Sequence, residues 1–536
     1  MKLLLTNRST YPFTKENGVS FCGYFIFNGH KYTSNAAITH ISDRLTQKSF
    51  DEVLKEIDGL YSLVVETDNK IFAAVDHVSS FPMFYAVEGS QLILSDNAYS
   101  IFDALTTVTA DEISFDEFKL SGVYISGRHT LCNEIKLIQS GEYIEFDKAS
   151  STLKTEFYYL HGGDGTCHDW SDEKFVDEFS KVFDKACENL RTALAGRTAA
   201  VELSGGYDSR EILAMLKRIG HEKVVCFTFG TKGHLDYSYP KRIAEYYGHP
   251  WHFVEYTPST WKKLRKDPDF IEYIKTRGYM SAVPEIQDYA AIKYVSENNL
   301  LPNDSVIITG NTGMIAGGRL DKALITQEID DFKKLTDLVK TNYYNRTELP
   351  ERLEERFSGF FDKNACRNSE ESGAQYHQYN MIERQCKFCL NSQRMFEFFG
   401  YEALLPICDA NLTEFYKKVP LRLKAGKLLL HKYLIRYDDI GFSKSASTIY
   451  SRVGSAIRGT TLLRKIVRKA SKITKYFRSS NRIERIFPFF KYTRHALKSS
   501  EFFTINYIFA HDMMQDTRKR IAQKQKQVSA QSISVD

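Results

Sequence analysis

Short apolar runs broken by turn signals fill the chain up to about Lys148. Tyr24-Phe-Ile-Phe27 precedes Asn28-Gly29, and Tyr61-Ser-Leu-Val-Val65, Lys70-Ile-Phe-Ala-Ala-Val75 and Gln91-Leu-Ile-Leu94 follow. Runs of this length between turn residues predict strands, and so a β-rich N-terminal domain over 1–155. Polar and glycine residues, His161-Gly-Gly-Asp-Gly165 among them, collect between Ala149 and Asp172 without a usable period, which predicts a linker. Beyond it, Phe175, Val176, Phe179, Val182 and Phe183 recur at helical intervals between Asp172 and Leu194, and Thr198-Ala-Ala-Val-Glu-Leu203 reads as a buried strand. Strand and helix patterns then alternate through Lys223-Val-Val-Cys-Phe-Thr-Phe229, a helix around Tyr239 to Tyr247, Trp251-His-Phe-Val254 and Ser305-Val-Ile-Ile-Thr309. That alternation predicts an α/β domain over 165–450, with a parallel sheet and crossover helices.

Length and composition narrow the class. A chain of 536 residues exceeds what one core can serve, so two globular units plus an appendage are expected. Hydrophobic residues at 43% and charged residues at 26% sit in the globular range, which excludes wholesale disorder and a membrane-embedded chain. The stretch from Met1 to Arg8 is too short in apolar residues for a signal peptide, and no later stretch approaches the roughly 20 apolar residues of a membrane helix. Nine cysteines without a regular framework complete the expectation of a cytoplasmic protein with reduced thiols. Cys386-Lys-Phe-Cys389 has zinc-like spacing, but no second pair follows and its flanks are helical, so two helix thiols are expected there.

The net charge of +5 is held by the last part of the chain, where from about Ser451 Lys and Arg outnumber Asp and Glu roughly fourfold. This predicts a basic helical extension over 451–536. From Leu463 to Arg478 its basic residues alternate with Leu463, Ile466, Val467, Ile473 and Phe477 at helical spacing. Such a segment suits peripheral contact with an anionic inner membrane surface, or a helix packed on the preceding domain. No nucleic-acid module accompanies the charge, so nucleic acid is not an expected partner.

The sharpest candidate for chemistry is Leu203-Ser-Gly-Gly-Tyr-Asp-Ser209, between a strand and a helical pattern through Ile212, Leu213, Met215 and Leu216. A strand running through Gly205 and Gly206 into a helix presents backbone N–H groups and the helix dipole to an anion, and Ser204 and Ser209 add hydroxyl donors. Asp208 stands where a carboxylate can hold the magnesium that accompanies phosphates.

These residues resemble the SGGxDS pyrophosphate loop of the asparagine synthetase family, which includes β-lactam synthetases and lasso-peptide cyclases. Phe227-Thr-Phe-Gly230 falls where that family has the strand beside adenine, which would place Phe229 there. Leu235 to Gly248 resembles the family's following acidic residue and helix. Gly400-Tyr-Glu-Ala-Leu-Leu-Pro-Ile-Cys-Asp409 and Val419-Pro420 resemble later segments of it. Leu423-Lys-Ala-Gly-Lys427 resembles the stretch whose lysine neutralises charge on the reacting phosphate, which implies that role for Lys427. Glu402 and Asp409 would shape the pocket or orient Lys427. In the N-terminal part, Asp58 to Leu63, Ala73 to Tyr85 and Gly127 to Gly141 resemble the family's glutaminase domain, so the resemblance covers roughly residues 20 to 440 and implies an Ntn-hydrolase-like sandwich ahead of a doubly wound ATP-pyrophosphatase domain.

Two departures shape what the resemblance implies. The family's glutaminase uses an N-terminal cysteine as nucleophile; position two here is Lys2 and the nearest cysteine, Cys22, sits in a strand pattern. No glutamine hydrolysis is expected. In the second phosphate loop, Thr309-Gly-Asn-Thr-Gly-Met-Ile-Ala-Gly-Gly318, Met314 takes the place of a magnesium-binding Asp, and a thioether is a poor ligand for a hard cation. Asn311 replaces an acidic residue and can still donate a hydrogen bond, and Asp321 is a substitute acid. The implied nucleotide contacts are Leu203 to Gly206, Asp208, Ser209, Phe229, Thr309, Gly310 and Gly313, with ATP and Mg²⁺ as cofactors. The implied reaction joins a small-molecule or peptide carboxylate, such as a uronic acid of a bacterial surface polysaccharide, to an amine or ammonia through an acyl-adenylate. The alternative is a nucleotide-binding scaffold of the same fold without turnover.

Overall fold

Period-two burial along the strands decides how the layers stack. The computed structural model describes residues 1–6, 10–204, 206–230, 232, 235–264, 266–311, 313, 317, 319–437 and 505–533. The N-terminal strands are β1 (Lys2–Leu4), β2 (Thr14–Glu16), β3 (Val19–Phe27), β4 (His30–Thr33), β5 (Asp58–Glu66), β6 (Lys70–Val75), β7 (Phe84–Glu88), β8 (Gln91–Ser95), β9 (Lys136–Leu137), β10 (Glu142–Asp147) and β11 (Thr152–Phe157). They make two sheets, one in the order β1-β8-β7-β9 and one in the order β11-β10-β6-β5-β3-β2, with β4 paired to β3. Asn28 and Gly29, at φ 49° and 77°, give the β3–β4 hairpin the two-residue turn whose twist matches its strands.

Tyr85, Leu92 and Leu94 of the smaller sheet meet Val64, Ala73, Val75 and Ile144 of the larger. The larger sheet's other face, with Phe21, Phe25 and Leu63, packs on the helices Ser34–Leu45 and Phe50–Glu56. The smaller sheet's other face, with Phe84, Ala86 and Ile93, packs on Ala98–Ala104 and Glu112–Ser121. The layers therefore run helix, sheet, sheet, helix. β11 lies in the stretch read from sequence as linker. Its residues alternate between exposed Thr152, Lys154 and Glu156 and half-buried Leu153, Thr155 and Phe157, too short and too weakly buried a pattern at the sheet edge to stand out from the polar stretch around it.

The second domain is built on β12 (Ala199–Glu202), β13 (Val224–Gly230), β14 (Trp251–Glu255), β15 (Val306–Ile308) and β16 (Glu402–Leu404). All pairs are parallel, in the order β14-β13-β12-β15-β16. Ala199, Val201, Cys226 and Ile308 face a core shared with the helices Asp172–Leu194 and Tyr207–Arg218. Ala200, Val225, Phe227 and Ile307 face the opposite core, which holds Tyr289, Ile292 and Val295 of the helix Tyr289–Glu297. The sheet is thus covered on both faces. Its order reverses between β12 and β15, so the loops that follow these two strands lie on either side of one crevice.

Among the contacts that join the domains, two show how local structure serves the seam. The Asp172–Leu194 helix, capped by Ser171 accepting from the Lys174 amide at 3.2 Å, shares its core with Cys22, Tyr24, Leu60, Val78 and Phe81 of the N-terminal domain. Further along, Asp111 caps the Glu112–Ser121 helix, and its two carboxylate oxygens accept from Arg356 Nη2 at 3.0 and 2.9 Å while Arg356 Nη1 donates to the Ser114 hydroxyl at 2.9 Å. Burial acts to raise the Asp111 pKa. The His129 hydrogen bond, the Arg356 charge and the Ser114 amide outweigh it and hold the carboxyl well below its usual range. A depressed carboxyl pKa contributes stability above the unfolded value and loses it as acid protonates the group. Asp111→Asn is therefore expected to cost about 3 kcal/mol at neutral pH, by leaving Arg356 unpaired. In urea titrations across pH, the gap from wild type should close below about pH 4.

The described part of the C-terminal extension is the helix Ile505–Ile533, which packs mainly on the N-terminal domain. Ala510, Met513, Met514 and Ile521 join Phe84, Phe102 and Phe115 in one core, while Phe509 meets Phe270 of the second domain with ring centroids 6.0 Å apart. The basic stretch from Arg464 to Arg478 lies outside the described residues. Among the described residues, no helix is long and apolar enough to cross a membrane.

Candidate functional site

The crevice between β12 and β15 is floored by the start of the Tyr207–Arg218 helix. β12 hands the chain to Leu203, buried, whose amide donates to the Phe227 carbonyl at 2.9 Å. The turn closes on hydroxyls: the Ser204 amide donates to Ser209 Oγ at 3.2 Å, the two hydroxyls lie 3.2 Å apart, and the Gly206 amide donates to Ser204 Oγ at 3.3 Å. Gly206 is the N-cap and supplies no side chain to the helix, so the first-turn amides remain available to an anion. Gly205 lies outside the described residues. Asp208, in that first turn, is 37% exposed.

The loop after β15 closes against this turn through glycine. A Cβ on Gly310 would stand 2.8 Å from the Asp208 backbone and the Ser209 amide, and one on Gly313 would run into the Asp208 carboxylate and Lys427. Thr309 is buried, with its hydroxyl lacking a hydrogen bond. Asn311 is half-buried directly after Gly310. Met314 lies outside the described residues, and Asp321 belongs to the helix Arg319–Thr326. Lys427 enters from the far side and its Nζ contacts Asp208 Oδ1. It does so from a left-handed backbone, φ 61°, directly after Gly426 at φ 67°, a conformation costly for a residue with a Cβ. Leu203, Ser204, Gly206, Asp208, Ser209, Thr309, Gly310, Asn311, Gly313 and Lys427 thus share one crevice. Phe229, near the end of β13, stacks on Tyr256 with centroids 5.1 Å apart at the adjacent strand end.

Glu402 and Asp409 do not join Lys427. Glu402 is the first residue of β16, paired with Val306, and so lies at the opposite end of a parallel sheet from the loops. There it accepts from the Tyr11 hydroxyl at 2.6 Å and pairs with Arg197 at 2.9 Å. Asp409 caps the helix Ala410–Lys417 and accepts from Asn189 at 2.7 Å. It lines a small inter-domain cavity with Tyr24, Asp58 and His77.

Sequence reasoning missed several carboxylates. Glu211, one turn after Asp208, is 1% exposed and its Oε2 makes no hydrogen bond. Burial pushes its pKa up to about 8, against the pull of Lys427 and with the push of Asp208. The signal was present: a charge three residues after Asp208 and four before Met215 falls on the line of the helix that the apolar pattern marks as inward. Glu202, at the end of β12, has its pKa raised to about 7 by burial and by Glu285. Burial also raises Glu285 and Asp288, and Glu202 and Glu285 raise Asp288 further. Among the described residues, no group of three or more His, Cys, Asp or Glu is arranged to hold a metal ion unaided.

Residues 181–437 match the asparagine synthase family model. The microcin J25-processing protein McjC of Escherichia coli is 24% identical over 39% of this chain and 37% of its own length. A probable glutamine-hydrolysing asparagine synthetase of Acanthamoeba polyphaga mimivirus is 22% identical over 47% of this chain and 44% of its own. The chain therefore spans less than half the length of these curated relatives. The solved glutamine phosphoribosylpyrophosphate amidotransferase from B. subtilis, complexed with ADP and GMP, aligns over 57% of this chain and 64% of its own at 8% identity, with a TM-score of 0.20. The matched stretch takes in the crevice from Leu203 to Lys427, and over residues 181–437 the chain is similar to the asparagine synthases.

Proposed function

We propose that the chain is an ATP-dependent ligase that activates a carboxylate as an acyl-adenylate, releases pyrophosphate, and passes the acyl group to an amine or ammonia with release of AMP. The observation that carries this reading is the closure of the Ser204–Ser209 turn on the Gly310 and Gly313 loop around the Asp208–Lys427 contact. The first-turn amides and the Ser204 and Ser209 hydroxyls would hold the β- and γ-phosphates. The carboxylate oxygen attacks the α-phosphorus and the bond to the bridging oxygen breaks, leaving its electron pair on pyrophosphate. Lys427 offsets the charge that gathers there, and a cation fixed in advance of the reaction needs no rearrangement to do so. Asp208, a partly exposed hard-oxygen donor already facing a cation, fits Mg²⁺, which when bound would neutralise phosphate charge. In this reading Phe229, stacked on Tyr256, would lie beside the base.

The nitrogen donor in this reading is not glutamine cleaved by the N-terminal domain, because both cysteines of that domain, Cys22 and Cys132, are buried. Contact of the basic tail with lipid-linked substrates at the inner membrane is a further part of the proposal. Flotation with anionic vesicles tests it, and a chain that stays out of the lipid fraction removes it.

The central test is pyrophosphate release from Mg·ATP by the purified protein, with a pool of carboxylates including uronic acids and peptides, with and without ammonium. Release that needs a carboxylate and disappears in Asp208→Ala is the expected result. ATP binding with no release across the pool would instead favour a scaffold that keeps the fold without turnover, in line with the missing acid at Met314.

A further inference from the structure

The loop from Thr309 to Gly318 contains no Asp or Glu, and at Gly310 and Gly313 it offers Asp208 only backbone. A divalent cation in the crevice would therefore draw one carboxylate from the two loops together. Glu202, Glu285 and Asp288 interact with one another. Among the described residues, Glu211 interacts with both Lys427 and Asp208.

Its placement suits a ligand. Asp208 and Glu211 stand three apart on the Tyr207–Arg218 helix, a spacing that puts two residues on neighbouring positions of one face. The side chain is 1% exposed and Oε2 has no hydrogen-bond donor. Leaving such an oxygen buried and unpaired is costly. Lys427 contacts Asp208, and its charge also favours the ionised form of Glu211, so one ammonium serves two carboxylates. Mg²⁺ is commonly bound by one or two carboxylates with phosphate oxygens completing the shell, a pattern that two acids beside a phosphate-binding turn would meet.

We propose that Glu211 and Asp208 together hold the divalent cation that enters with the nucleotide, with Lys427 moving from Asp208 to the phosphates as it does so. This rests on the nucleotide reading of the crevice. Mn²⁺ is the probe, its free concentration followed by electron paramagnetic resonance in titrations of the full chain with an α,β-non-hydrolysable ATP analogue. Glu211→Gln is expected to weaken Mn²⁺ binding tenfold or more, the scale on which metal sites respond to loss of a supporting group. Binding of the analogue in EDTA, and the melting temperature, should stay as in wild type. Glu211→Asp, which keeps the charge on a shorter arm, should fall between the two and decides the matter if the Gln variant does not fold. Mn²⁺ affinity equal to wild type in these variants, with the analogue still bound, overturns the role of Glu211. Failure of the wild-type chain to bind the analogue at all overturns the nucleotide reading, and this proposal with it.

Discussion

Lys427→Ala is expected to lower carboxylate-dependent pyrophosphate release by about 10²–10³-fold, the scale on which a single preorganised group at developing charge is felt. The fold should survive, because the backbone at 427 is held by its neighbours and Ala meets the same left-handed geometry. Lys427→Arg should recover only part of the rate, since a planar fork cannot replace a compact ammonium in a crevice where Lys427 is 13% exposed. Rates measured at saturating ATP separate this from a binding defect. An Ala variant with the wild-type rate would remove Lys427 from the chemistry and leave it a structural partner of Asp208.

Removing the C-terminal helix should have the largest effect on stability. A chain ending at residue 504 loses the buried side chains of Met513, Met514 and Ile521 and exposes the Phe102 and Phe115 surface they cover. At about 1.5–3 kcal/mol for each large apolar side chain, the loss is on the order of 5 kcal/mol before allowance for structure in the unfolded chain. It also removes the Arg518–Glu112 fork, at 3.1 and 2.6 Å, and Lys524 donating to the Phe102 carbonyl at 2.8 Å. Chemical denaturation should show the loss, and a peptide covering residues 505–536 added in trans should restore part of it. An unchanged midpoint would mean that the helix contributes nothing to the fold.

Much of the second domain was legible because its strands are buried on both faces and its helices on one. Ala199, Ala200 and Val201 read as a continuous apolar run, and the structure sends alternate members to opposite cores. β11 was not legible, since its two apolar residues, Leu153 and Phe157, flank Thr155 on a half-buried edge and are embedded in a polar stretch. The Ser204–Ser209 turn could be read because backbone, glycine and hydroxyl requirements all fall within six consecutive residues. Glu402 was read by likeness of segment alone, and its position at the first residue of a parallel strand is a tertiary fact that no local pattern carries. Glu211 was passed over because the motif ends at Ser209, although the helical period that follows places it inward.

The core around the Asp172–Leu194 helix belongs to both halves of the molecule, with Cys22, Tyr24, Leu60, Val78 and Phe81 entering it from the N-terminal side. A seam of this kind ties the evolutionary fate of the two halves together. A recombination event that exchanged the N-terminal half would have to bring the same five-residue contour or leave the second half with an open wound of apolar surface. The N-terminal half thus serves the second half as a fitted shape rather than as an exchangeable module.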